Sequence, residues 1–234
     1  MEIRLTQKPQ NPIIIEGFPG IGLIGTITTE YLIKHLDVKP IGSIWSEEVS
    51  PVAAVHGSKI VQPLEIFWSK KKNIVILHAM TDVKGLEWKI SSTLEKLYKQ
   101  LKAKEIISLE GITGEAPKPK SYFFSNIPAS TKKLHSLGAE PLKEGIIMGV
   151  TAAVLLKGKT MKTTGIFVET HSKLPDSRSA AKIIEILSAY LKLSIDSKPL
   201  IKAAQDFEKN LKGYMEKLKT AQQHKDKKAV DYMG

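Results

Sequence analysis

Four glycines within nine positions, set directly behind three isoleucines, constrain this chain more than any other feature. The stretch reads Ile13-Ile14-Ile15-Glu16-Gly17-Phe18-Pro19-Gly20-Ile21-Gly22-Leu23-Ile24-Gly25 and runs on to Tyr31 without further Gly or Pro. The β-branched run predicts a buried strand, the glycines a tight turn, and the segment behind them a helix from about Gly22 to Leu36. Leu23, Ile24, Ile27, Tyr31 and Leu32 would share its sheet-facing side. Gly20, Gly22 and Gly25 also match the dinucleotide-binding spacing, in which a pyrophosphate rests on the helix N-terminus and an acidic residue about 20 positions on holds the ribose. Glu47 or Glu48 could fill that acidic place. The competing reading gives Gly20 and Gly22 to the sharp turn and Gly25 to close helix–sheet packing, making with Gly17 a structural glycine turn without a ligand.

The rest of the chain alternates in α/β fashion. Residues 2 to 6 predict an edge strand, Pro40 to Trp45 another, and Pro51 to His56 with Lys59 to Trp68 a hairpin around Gly57-Ser58. Asn73 to His78 adds a further strand, so three strands in succession make the sheet mixed. Gly85 to Leu101 carries Leu86, Ile90, Leu94, Leu97 and Leu101 at helical spacing, ahead of a strand from Glu105 to Leu109. The loop Gly111 to Lys120 should lie at the carboxyl edge of the sheet, where α/β folds place ligands or partners. Pro128 opens a helix that Gly138 stops. Glu144 to Val150 predicts a strand, Thr151 to Lys157 a short helix, and Gly165 to Glu169 a buried strand. Asp176 then caps a helix through Leu191.

A break at Asp196 to Pro199 divides an α/β core, residues 1 to 195, from a helical extension and tail, residues 196 to 234. Leu200, Ala204, Phe207, Leu211, Tyr214, Leu218 and Ala221 step by four and three, so this helix needs a surface to pack on. Phe207, Leu211, Tyr214 and Leu218 are its candidate partner-binding residues. Residues 222 to 228 are polar and charged, and Tyr232 stands near the end.

Several functions are excluded or disfavoured by composition. The chain has no cysteine, which removes disulfides, thiolate metal sites and cysteine nucleophiles. It has no leader-like N-terminus and no apolar run long enough to span a membrane, which predicts a cytoplasmic protein without a membrane partner. The net charge of +11 raises nucleic-acid binding, but Arg4 and Arg178 are the only arginines among 35 basic residues. Base and phosphate readout favours the bidentate guanidinium, so a lysine-rich solvated surface is the better reading and no specific nucleic acid is expected. Six scattered histidines form no metal motif, although His78 and His171 both fall near strand ends. Glu169-Thr170-His171-Ser172 beside Asp176 has the ingredients of acid-base chemistry, yet Asp176 has sufficient work as a cap. Gly158-Lys159-Thr160 lacks the upstream glycine of a phosphate loop. No catalytic residue, metal or cofactor is predicted.

Gly17-Phe18-Pro19-Gly20-Ile21-Gly22-Leu23-Ile24-Gly25 with Tyr31-Leu32 resembles the opening motif of the proteasome-assembly-chaperone family, in particular its archaeal members. Leu109-Glu110-Gly111-Ile112-Thr113-Gly114 resembles the family's strand and glycine turn. Glu169-Thr170 through Pro175-Asp176-Ser177-Arg178-Ser179-Ala180-Ala181 resembles its late motif, with Ser177 where proline is usual. The resemblance implies a three-layer α/β/α sandwich around a mixed, largely parallel sheet, with a helical C-terminal extension. It also implies an ATP-independent, non-enzymatic chaperone that binds proteasome α subunits during assembly of the 20S particle, as a homo-oligomer with a tetramer favoured. Family members can carry a terminal hydrophobic-tyrosine-any motif that docks between α subunits; Tyr232, followed by two residues, matches it imperfectly. The alternative is a nucleotide-binding enzyme, dinucleotide-binding or ligase-like, working through the Gly20–Gly25 turn.

Overall fold

In the computed structural model, which describes residues 1–56, 58–114, 119–170 and 174–203, the chain folds around a nine-stranded mixed sheet. The strands are β1 (Glu2–Leu5), β2 (Ile13–Gly17), β3 (Lys39–Trp45), β6 (Leu64–Ser69), β7 (Ile74–Ala79), β8 (Glu105–Thr113), β9 (Ser121–Ser125), β10 (Glu140–Pro141) and β11 (Thr163–Thr170). A separate two-stranded hairpin joins β4 (Ala54–His56) to β5 (Lys59–Val61). The sheet order is β1-β3-β6-β7-β2-β8-β11-β9-β10. Its centre, β7-β2-β8-β11, is wholly parallel, and antiparallel pairs flank it on both sides. The mixed sheet expected above is therefore present, parallel at its centre with as many antiparallel pairings as parallel ones, and β1 forms the expected edge.

Helices cover both faces. On one face lie α2 (Glu87–Leu101) and α4 (Gly149–Leu156), packing Ile90, Leu94, Leu97, Leu101, Val150 and Val154 onto Ile14, Val75, Leu77 and Ile106. On the other lie α1 (Ile24–His35), α3 (Pro128–Ser136) and α5 (Ser177–Leu191), packing Ile24, Leu32, Leu134, Ile183 and Leu187 onto Ile15, Ile76, Ile107 and Ile166. Adjacent strand residues such as Ile14 and Ile15 thus enter opposite layers, as the two-residue strand period requires. Four apolar residues of α2, Ile90, Leu94, Leu97 and Leu101, are fully buried, each worth about 1.5–3 kcal/mol relative to exposure. Asp176 accepts from the Ser179 N–H at 3.0 Å, so it is the N-cap read from the sequence.

Four readings need correction. The helix after the glycine turn does not begin smoothly at Gly22: a 3-10 turn over Ile21–Leu23 precedes α1, and Gly22 and Leu23 have φ of +67° and +50°. Leu23 consequently points to solvent instead of the sheet. The strand expected over Lys59 to Trp68 is two strands, because Pro63 cannot donate to a ladder and β5 pairs with β4 whereas β6 pairs with β3 and β7. The loop read as ending at Lys120 is followed by an unforeseen strand, β9, antiparallel to β11. Finally, residues 144–148 form no strand; α4 starts at Gly149, whose φ is +71°. That apolar run lines the cleft beside the glycine turn and pairs with no strand among the described residues.

Beyond α5, Leu193, Ile195 and Leu200 pack against the α1 and α5 layer, and the Tyr31 hydroxyl donates to the Asp196 carbonyl at 2.7 Å. Residues 198–203 are helical. The remainder of the heptad pattern, with Phe207, Leu211, Tyr214, Leu218 and Tyr232, lies outside the described residues.

Candidate partner-docking site at the carboxyl edge

The parallel strands β2, β7, β8 and β11 all end at one edge of the sheet, and the glycine turn leaves β2 there. Every glycine of the turn is pressed against the chain's own atoms. A Cβ on Gly17 would fall 2.2 Å from the Gly25 carbonyl oxygen, and one on Gly25 would fall 2.6 Å from that of Leu109. Strand and helix therefore approach until backbone meets backbone. A Cβ on Gly20 would meet Glu110 Oε1 at 2.0 Å, and Gly22 needs its positive φ for the turn. Gly111, just behind Glu110, is held close to the Ile21 carbonyl in the same way.

Beside this turn runs a cleft of about 220 Å³, walled by Phe18 to Ile21, Val83, Ile112 and Ile146 to Val150, with Glu110 in its lining. Its rim carries apolar side chains that would normally be buried: Ile146 is 87% and Met148 71% exposed. Ile21, Leu23 and Leu174 are also exposed at this edge, and Leu174 stands two residues before Asp176, whose N–H donates to the Gly22 carbonyl. Large exposed apolar side chains gathered around a cleft are the usual mark of a surface that meets another protein.

Two carboxyl groups sit beneath the rim on the α2/α4 face. Glu110 accepts from the Thr151 hydroxyl at 3.1 Å, and burial raises its pKa to about 7 against the opposing pull of Thr151 and the Gly111 and Ile21 N–H groups. Glu16 lies opposite Ser108 in the β2–β8 register. It is fully buried, neither carboxyl oxygen has a hydrogen-bond partner among the described residues, and its pKa rises to about 8. Burial is the main cause; the Ser108 hydroxyl beside it opposes the shift without reaching hydrogen-bond geometry, and Glu110 adds to it.

The other sequence candidates fall elsewhere. Glu47 and Glu48 follow β3, three positions across the sheet from β2, and Glu48 is exposed and paired with Lys89. A ribose held by the β2 turn would be out of their reach, because the dinucleotide arrangement needs the acid on the neighbouring strand. His78 is buried on β7, 2.9 Å from Thr29 Oγ1, and burial lowers its pKa. His171 lies outside the described residues. Asp176 is engaged by Thr170, Ser179 and the helix end, and Glu169 accepts from the Tyr122 hydroxyl at 3.0 Å. Among the described residues no group of three or more metal-ligating side chains occurs, and no helix is long and apolar enough to cross a membrane. Sequence reasoning misses Glu110, Ile146 and Met148 as site residues; the signal that points to Glu110 is an acidic residue inside the apolar strand run Ile106 to Ile112.

Helices on both faces of a nine-stranded mixed sheet, with a glycine turn filled by the chain's own atoms, define a three-layer α/β protein. Residues 14–215 match the PAC2 family model, and the chain belongs to the PAC2 family. Its fold superposes on PbaA of Pyrococcus furiosus, an archaeal homolog of proteasome-assembly chaperone, with a TM-score of 0.87 and 28% identity, covering 97% of this chain and 96% of that one. PbaB of the same organism, an archaeal proteasome activator, superposes with a TM-score of 0.78 at 20% identity, covering 92% and 98% of the two chains. An uncharacterized protein of Methanocaldococcus jannaschii is 27% identical over 208 residues, 87% of this chain and 85% of its own length.

Proposed function

We infer that this protein is an ATP-independent chaperone that binds proteasome α subunits and assists assembly of the 20S proteasome. The observation that carries this reading is the near full-length likeness to PbaA in both fold and sequence. The exposed Ile146, Met148, Ile21 and Leu23 around the carboxyl-edge cleft supply a surface suited to an apolar partner face. Residues 196–234 act as an extension that reaches a second contact, through Phe207, Leu211, Tyr214 and Leu218 and through anchoring of Tyr232. Tethering two weak contacts in one chain raises the effective concentration at the second. The protein works in the cytoplasm as a homo-oligomer, a tetramer, without catalysis.

Native mass spectrometry tests the reading, with the full chain and a truncation before Pro199 each mixed with proteasome α subunits from the same source. A defined complex with the full chain that is lost on truncation is the expected result; no complex with either would sink the chaperone reading. The enzyme alternative is tested by thermal shift with NAD, ATP and magnesium, since a ligand at 100 times its dissociation constant stabilises by about 2.7 kcal/mol. A flat response is expected.

A further inference from the structure

Charge at the carboxyl-edge cleft runs against that of the molecule. The chain holds 35 lysines and arginines against 24 aspartates and glutamates, yet the charged side chains described around the cleft are Asp82, Glu87 and Glu110, with Lys84 alone opposing them. Asp82 is exposed and Glu87 half-buried, and each accepts a backbone N–H, that of Lys84 at 3.0 Å and that of Gly85 at 3.1 Å. Glu110 is half-buried in the lining. The Thr151 hydroxyl and the Ile21 and Gly111 N–H groups hold its carboxylate, and no cationic side chain among the described residues pairs with it. On the same face of the sheet Glu16 is fully buried, both its oxygens lack a partner among the described residues, and its charge and that of Glu110 oppose each other. A positive charge brought to this corner from outside is therefore stabilised by carboxyl groups that the chain itself leaves uncompensated.

Size and shape narrow the guest. At about 220 Å³ the cleft falls below the roughly 300–1,000 Å³ of small-molecule sites, and it suits one long side chain inserted from another protein. Its apolar walls, Phe18, Ile21, Val83, Ile112 and Val150, match the four-carbon stem of a lysine whose ammonium reaches Glu110. A guanidinium fits less well: with Thr151 and two N–H groups already on the carboxylate, no free pair of parallel acceptors remains for its fork. Ile146 and Met148, exposed on the rim, receive apolar residues on either side of that lysine. We propose, on the docking role already given to this edge, that the cleft is the socket for one partner lysine flanked by apolar residues, with Glu110 as its counter-charge.

The test uses the full chain and the peptide acetyl-Leu-Lys-Leu-amide with its norleucine and glutamate counterparts. They are titrated at pH 8, above the value of about 7 to which Glu110 is raised, and followed by methyl NMR of Ile21, Ile146 and Met148. Wild type is expected to bind the lysine peptide roughly tenfold tighter than the norleucine peptide, the scale of one charge-assisted hydrogen bond, and the glutamate peptide most weakly. Glu110→Gln, which keeps the volume and removes the charge, should bring lysine and norleucine to equal affinity; if that variant does not fold, the wild-type series carries the test. Met148→Ala, at an exposed position, should weaken both peptides alike and keep their ratio. Norleucine bound as tightly as lysine, a lysine preference that survives Glu110→Gln, or a response that fades as protein concentration rises, the sign of a second copy in the cleft, would each overturn the proposal. In native mass spectrometry Glu110→Gln should also weaken the complex with proteasome α subunits. A complex left unchanged would overturn the socket while the chaperone reading stands; if wild type forms no complex, that reading fails and the peptide series alone decides the socket.

Discussion

Strand β8 carries two carboxyl groups, Glu105 buried at its amino end and Glu110 half-buried in its carboxyl half, and the two are treated differently. At its amino end Glu105 is surrounded by donors: the Tyr190 hydroxyl reaches both of its oxygens at 2.9 and 3.1 Å, and Thr164 donates to one of them. Tyr190 also meets Ser130 at 2.7 Å, so α3, α5, β8 and β11 are tied into one network. At the carboxyl end Glu110 is held by a turn and one hydroxyl, and its neighbour Glu16 by nothing. Burying charge is costly unless hydrogen bonds compensate it. The amino end therefore stabilises the sandwich, whereas the carboxyl half gives up stability beneath the exposed apolar rim.

The largest effect expected is at the turn itself. Gly17→Ala would drive a Cβ into the Gly25 carbonyl, where backbone faces backbone and neither can yield. A loss of about 4 kcal/mol or more is expected, beyond the usual cost of overpacking, in a urea midpoint measurement. A variant as stable as wild type would show that strand and helix do not approach so closely.

The pH dependence comes next. Glu16 has a folded pKa raised from 4.5 to about 8, so the folded chain holds this proton more tightly than the unfolded chain. Its contribution to stability is fully present below pH 4.5 and is lost as pH rises towards 8. Glu110, raised to about 7, works in the same direction. At about 1.4 kcal/mol per unit, allowing for hydration on ionisation, Glu16 should cost about 2–4 kcal/mol between pH 5 and 8.5. Denaturation of Glu16→Gln across that range should show a much shallower decline, with the variant more stable than wild type at the alkaline end. An unchanged slope would mean that Glu16 is not the unsatisfied member of the pair.

At the satisfied end the effects are smaller and opposite in kind. Burial raises the Glu105 pKa and the Tyr190 hydroxyl opposes that shift, so Tyr190→Phe should cost about 1–3 kcal/mol, more as pH rises and Glu105 ionises. If Tyr190→Phe were neutral while Glu16→Gln were harmful, the contrast between the two ends would be reversed. Smallest is Asp176→Ala, expected to cost about 1 kcal/mol through loss of the α5 cap, read as a drop in thermal midpoint.

The legible elements were those built from local signals. Ile90, Leu94, Leu97 and Leu101 repeat at helical spacing and are all fully buried on α2, and Asp176 caps α5 as its side-chain chemistry requires. Glu169 to Ala181 and Leu109 to Gly114 are legible as motifs, but that Glu110 fills the space beside Gly20 is not. Nothing in its local sequence says which of two distant segments its carboxylate will meet.

What the sequence by itself determined is the strand-turn-helix unit at Ile13 to His35, the amphipathic helices α2 and α5, and the α/β class that follows from their alternation. Each rests on periodicity or turn chemistry within a few residues. Tertiary structure alone decided the matters that need a partner far along the chain. Lys59 to Trp68 splits because its two halves pair with different strands, and Ser121 to Ser125 becomes a strand by pairing with β11. Gly145 to Met148, as apolar as any strand, stays outside the sheet because the ladder has ended there, and that exclusion is what places Ile146 and Met148 on the surface.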